Sequence, residues 1–439
     1  MILPVSLPRF EHAATIRPVE LALPGALPEA LAPYVAVVRD SGGPVELALT
    51  SGEDRLAVAY DGTGFSLTVT DTTGTTEHRS RRSGRPDGPV DRVALTLTGT
   101  RLAVVGHEVE AGNGPGAGGW VVRGVVDLRD RIDPHDEEWL AGLRAEGGEL
   151  RAFGQLGLRD VRLVTHADGS AYTRGGALLL TATSAGPGFF DTAHSSVWSL
   201  EPATWTLTHL SDVFFRRPDQ EGVYGDHASH LLRVADDDGE RWLFATSTWG
   251  DFDLHRTGAT VAATLAETDA DLLQGRHVLD TRPLDLPTDG LSSVGVWDPH
   301  LVRTDEGWLA AYVSARKFFR FHPVVAAGPS LDALELRGAA GHLRETEGPT
   351  LHRISTGTED SWVVLASDGV ARRYLVLDLE AEVTGEVDAP YPSNIPWPTL
   401  AEHDGALLMI GFDGEPGGGR LVGYGSHGAL QVSRAVTPC

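Results

Sequence analysis

Residues 160–184 read DVRLVTHADGSAYTRGGALLLTATS, and residues 298–315 read DPHLVRTDEGWLAAYVSA. Each stretch is a run rich in β-formers, an acidic-Gly turn, and a second run that returns antiparallel to the first. Three further copies align on the same first leucine. ASHLLRVADDDG begins at Ala228, EGPTLHRISTGTED at Glu347 and WPTLAEHDG at Trp397. The aligned positions are Asp160, Ala228, Asp298, Gly348 and Trp397, in steps of 68, 70, 50 and 49 residues. Each step holds a hairpin plus one or two outer strands. One such sheet cannot bury both faces alone, but sheets packed radially can. The repeat therefore predicts an all-β, five-bladed β-propeller over 149–439, with the inner strands beginning at one common mouth.

Upstream, short β-like runs recur at 45–50, 55–60, 64–70, 92–98, 101–105 and 120–126, separated by turns such as Asp61-Gly62. This pattern predicts an antiparallel, jelly-roll-like β-sandwich over 1–148. A linker helix is expected to close it: Asp133 as N-cap, Pro134 in first position, acidic residues 136–138 in the first turn, and Gly147-Gly148 as the stop.

Composition narrows the function. The 439 residues are 41 % hydrophobic and 22 % charged, enough for a real core. A net charge of −25 disfavours nucleic acid and anionic membranes as partners. Lys317 is the one lysine and Cys439 the one cysteine, which excludes an internal disulfide and a cysteine zinc site. No apolar run is long enough to span a bilayer. Residues Met1–Phe10 carry no secretory pattern, so the expected compartment is cytoplasmic. No motif calls for a cofactor or metal. Gly114-x-Gly116-x-x-Gly119 contains Pro115, lies between strands and opens no helix, so it lacks phosphate-binding geometry.

The candidate site follows from the topology. Asp160, Asp298 and Glu347 lie at or beside the inner-strand heads of blades 1, 3 and 4, and Asp226 lies two residues early in blade 2. Second strands return to the same mouth, so the loops after them rim it. Those loops bring Phe189 and Phe190, Trp249 and Phe252, and Phe318 and Phe319. His230 and His300 sit near the heads of blades 2 and 3, where a sugar hydroxyl would use them. Trp397, aligned with the acids, forms either a pocket floor or a channel plug. Strand alternation turns Arg159 and Arg162 away from the channel. Carboxylates under an aromatic rim suit a sugar: acids act at the glycosidic bond, and flat rings stack on apolar sugar faces.

The succession Asp160, Asp298-Pro299 and Glu347-Gly348-Pro349 resembles the five-bladed-propeller glycosidases of glycoside hydrolase family 43, the arabinanase and xylosidase group. The resemblance implies Asp160 as general base, Asp298 as modulator and Glu347 as general acid. It implies inverting hydrolysis of arabinofuranosyl or xylosyl linkages. A raised Glu347 pKa would be needed, with Asp298 as a source of the charge that raises it. The chain departs from the family at Asp160-Val161, where Asp-Pro is common. Trp397-Pro398 also stands where some members place a cation-holding histidine. The sandwich, which resembles laminin-G or lectin domains, precedes the propeller here, whereas an accessory sandwich commonly follows it.

Two other functions fit the same residues. One is a non-catalytic carbohydrate-binding propeller. The other is an enzyme acting on a small metabolite, with the sandwich narrowing the mouth.

Overall fold

The computed structural model describes residues 7–109, 118–236, 239–355, 360–416 and 427–436. Gly114 and Gly116 of the glycine-rich loop, Gly417–Gly419 and Cys439 lie outside the described residues.

The five sheets of the repeat are the five blades. Their inner strands are Leu158–Leu163, His227–Asp236, Val296–Thr304, Thr346–Ser355 and Thr399–His403. Each pairs antiparallel with the strand that follows the expected turn, and further strands are added outward. Apolar residues between neighbouring blades form the core. Leu301, Tyr312 and Val324 of blade 3, for example, pack with Leu232, Leu243 and Leu265 of blade 2.

The N-terminal sheets form a two-layer antiparallel sandwich. One layer has six strands and includes Tyr34–Asp40, Val90–Thr98 and Arg101–Val109. The other has five and includes the hairpins of Val45–Ser51, Asp54–Tyr60 and Phe65–Asp71. Val35, Leu47, Leu49, Leu95 and Leu102 are wholly buried between them.

Two strands depart from a division at residue 148. Phe10–Ile16, expected with the sandwich, pairs with His427–Ala435 and becomes the outermost strand of blade 5. The chain after residue 399 supplies that blade with only three strands, and the N-terminal segment covers its open edge. Phe10, 2 % exposed, anchors the closure in the core between blades 4 and 5. Conversely, Arg151–Gln155 stays with the sandwich, pairing with Tyr34–Asp40 and Glu20–Ala22. The helix is also shorter than expected. It spans Glu137–Ala141, with Asp136 as the N-cap accepting from the Trp139 N–H, and ends at Gly142. Asp133 instead accepts from the His135 N–H one turn earlier. The helix gives way to a strand, Arg144–Glu146, that pairs with Val45–Ser51.

Candidate active site

A bulge at the head of four inner strands builds the site. The register shifts between Arg159 and Arg162, His227 and His230, Trp297 and His300, and Glu347 and Thr350. In each the repeat-aligned residue has positive φ: Asp160 at 50°, Ala228 at 63°, Asp298 at 58° and Gly348 at 66°. In a regular strand consecutive side chains point to opposite faces. The left-handed residue breaks that rule, so a residue and its predecessor both reach the mouth. Arg159 with Asp160, and Trp297 with Asp298, accordingly line one cavity. Asp tolerates this conformation better than most residues. Gly348 is required for a second reason as well: a β-carbon there would collide with the Trp397 ring.

The bulges are tied blade to blade. The Ala228 N–H donates to Thr183 Oγ1 at 3.3 Å, the Asp298 N–H to Ser247 Oγ at 3.0 Å, and the Gly348 N–H to Asp298 Oδ2 at 3.3 Å. Asp298 thus performs the structural task of Thr183 and Ser247 while also facing the cavity.

The cavity has a volume of about 400 Å³ and is lined by Asp160, Asp298 and Glu347 together. Asp298 is 1 % exposed and Asp160 7 %, while Glu347 is half-buried and opens to the cavity. Burial, and then the charge on Asp160, push the Glu347 carboxyl up to about 8. Burial also drives Asp298 well above the usual carboxylate range, with Glu347 as the next cause. The charge that raises Glu347 is therefore that of Asp160, where Asp298 was the expected source. The Asp298–Glu347 pair holds at least one proton at neutral pH. Arg159 Nη2 lies 3.6 Å from Asp160 Oδ2. The buried indole N–H groups of Trp297 and Trp397 are directed at Glu347, where they favour its charged form against the effect of burial; neither closes an ordinary hydrogen bond among the described residues.

Arg162 corrects the expectation drawn from alternation. It is fully buried beneath the acids, donating to Pro349 O at 2.7 Å, Thr350 Oγ1 at 3.1 Å and Asp298 O at 3.0 Å. Its guanidinium lies 4.6 Å under the Trp397 ring centre. Burial lowers its pKa to about 10, so it remains a cation at neutral pH. Trp397 therefore lies between this cation and the cavity, as its floor.

Phe189, Trp249 and Phe318 line the cavity, and Phe252 packs behind them at 4.9 Å from Trp249 and 4.7 Å from Phe318. Three expected ligand contacts lie elsewhere. His230 and His300 stack on each other at 4.0 Å below the bulges. Their Nδ1 atoms accept the N–H groups of Leu301 and Leu351, and His230 Nε2 meets Thr165 Oγ1 at 3.0 Å. Burial keeps both rings neutral. They sit two residues past the left-handed position, on the part of the strand that fills the channel. Asp226 is buried against Arg217, whose Nε donates to it at 2.8 Å, and it accepts the Gly250 N–H at 3.0 Å. It fixes the loop bearing Trp249 and does not face the cavity.

Sequence reasoning missed Trp297 and turned Arg159 away from the cavity that it lines; His227 it placed at the head of the blade 2 strand, as a group for a sugar hydroxyl or a metal. Each directly precedes a left-handed residue, and that shared offset is the signal that would have placed all three on the cavity. His227 donates from Nδ1 to Gly225 O at 2.9 Å, and its buried Nε2 has no partner among the described residues. Burial lowers its pKa to about 3, so the ring is neutral and Nε2 is an acceptor.

The sandwich contributes no described lining residue; it braces the rim. Asp191, next to Phe190, accepts Arg101 Nε at 2.9 Å and Arg129 Nη2 at 3.0 Å. The other Arg129 nitrogen, Nη1, reaches Asp253 of the Trp249 loop at 2.6 Å. One sandwich arginine thus joins the rim loops of blades 1 and 2.

No family model matches the sequence, and no match is found among curated proteins. Solved structures with similarity include the GH43_1 enzyme from Xanthomonas citri complexed with xylose, at 15 % identity over 61 % of this chain and 86 % of that one, TM-score 0.41. Bombyx mori GH32 beta-fructofuranosidase matches at 12 % identity over 63 % and 60 %, TM-score 0.42. Penicillium chrysogenum alpha-L-arabinanase complexed with arabinobiose matches at 12 % over 97 % and 98 %, TM-score 0.37. The chemistry of the site rests on its own geometry.

Proposed function

We propose that the protein is a glycoside hydrolase that cleaves arabinofuranosyl or xylosyl linkages with inversion. One observation carries the reading: carboxyl groups from three blades share one cavity, where burial and the charge on Asp160 raise the Glu347 carboxyl to about 8. Glu347 gives its proton to the glycosidic oxygen as the bond from that oxygen to the anomeric carbon breaks. Asp160 takes a proton from the water that attacks the same carbon. The two strands come from blades 1 and 4, which are not consecutive in the chain. Asp298 orients the Glu347-Gly348 backbone through its bond to the Gly348 N–H. Trp297 and Trp397 direct their indole N–H groups at the acid, and His227, with a buried neutral ring, lines the same cavity.

The test is release of phenol from aryl arabinofuranosides and aryl xylosides by the wild type and by Glu347→Gln. Turnover by the wild type, reduced by about 10²–10⁴-fold in the variant, is expected. Equal release by both, or sugar binding with no turnover by either, contradicts the reading.

A further inference from the structure

We propose that the outer part of the cavity receives an apolar aglycone, an aryl or alicyclic group, and not further sugar residues. The inference rests on the glycosidase reading for its substrate and on the cavity wall for its content. The polar lining residues Arg159, Asp160, His227, Asp298 and Glu347 all come from inner-strand heads, so they form the floor. Above them the wall is built from Phe189, Phe190, Phe318, Phe319 and Ile395, with Glu345 and Asn394 as the polar exceptions.

The exposure pattern points the same way. Phe189 is 53 % exposed and Phe319 65 % exposed, on loops of blades 1 and 3. Of the eight exposed large hydrophobic residues described, five lie on mouth-side loops: these two with Leu254, Val294 and Val370. Rings left in water around the opening of a cavity gain nothing in folding and mark a place where an apolar group binds. A second sugar ring brings several hydroxyls, each needing a partner once it leaves water. This wall offers too few. A cavity of about 400 Å³ holds one sugar on the polar floor with a compact apolar group above it.

The test compares three glycosides of one sugar, run for both xylose and arabinofuranose: phenyl, cyclohexyl and the disaccharide. Binding is read on Glu347→Gln by tryptophan fluorescence, since Trp249, Trp297 and Trp397 line the cavity. Turnover is read on the wild type. The phenyl or the cyclohexyl compound is expected to bind at least tenfold more tightly than the disaccharide; which of the two does so separates aryl from alicyclic recognition. Adding Phe189→Ser with Phe319→Ser is expected to weaken the apolar glycosides fivefold or more and the disaccharide by at most about twofold. Both side chains are exposed, so thermal unfolding should not move. If no compound is cleaved but this preference holds, the hydrolytic reading falls and the apolar subsite stands. A disaccharide bound as tightly as the apolar glycosides, equal weakening of all three, or no binding of any, overturns the proposal.

Discussion

Asp160 and Asp298 occupy the same place in two different blades, each in left-handed conformation at the bulge of its inner strand, with φ of 50° and 58°. The strained backbone turns two carboxylates far apart in sequence into one cavity. Residues in this region cost on the order of 1–3 kcal/mol each and persist where the surroundings over-determine them. For Asp298 the surroundings include the Ser247 hydroxyl of the neighbouring blade, and Ala228 and Gly348 are held at their bulges in the same way.

The pH profile should carry the signature of Glu347. Its pKa of about 8 sets an alkaline limb: kcat/KM falls above pH 8 as the acid loses its proton. A rate that stays level to pH 9.5 would contradict the assignment.

Stability should follow the same group. The folded pKa lies above the ordinary glutamic value, so the native state binds more protons than the unfolded state between about 4.5 and 8. Stability is lost as pH rises through that window. Glu347→Gln removes the titration, so its Tm relative to wild type should rise from pH 5 to pH 8. A constant difference between the two proteins would show that the group does not titrate in this way.

Gly348→Ala should be severely destabilising. The added methyl meets the Trp397 ring, and φ of 66° disfavours a β-carbon. Strain and overpacking together cost about 2–5 kcal/mol. Denaturant unfolding of the variant checks this; a loss below 1 kcal/mol would mean that Trp397 moves aside freely.

Arg129→Ala should act on binding more than on chemistry. The arginine is a positioning residue that holds Asp191 and Asp253, and through them the loops of Phe190 and Trp249. Its loss should raise KM roughly threefold to tenfold, equivalent to about 1 kcal/mol, with kcat changed less. A matching fall in kcat with KM unchanged would argue for a role in the chemistry itself.

The propeller was legible because a leucine, a glycine-bearing turn five to eight residues later and a second strand recur in the same order five times. Asp160, Asp298 and Glu347 were legible as a group for that reason. The orientation of their neighbours was not. Period-two alternation turned Arg159 and Arg162 outward, and the bulge reversed it, placing Arg159 on the cavity and Arg162 beneath it. His230 and His300 looked available because they stand near strand heads. Two residues past the left-handed position, the strand has already entered the filled channel. The pairing of Phe10–Ile16 with His427–Ala435 spans almost the whole chain, and no local pattern announces it.

The leaving-group dependence of Glu347→Gln tests the central claim most directly. A general acid matters most when the departing alkoxide is poor and least when it needs no proton. The account predicts that the variant loses about 10²-fold or more on phenyl glycosides yet cleaves the 2,4-dinitrophenyl glycoside of the same sugar within about tenfold of wild type. An equal loss on both substrates would contradict it, because Glu347 would then not be the proton donor.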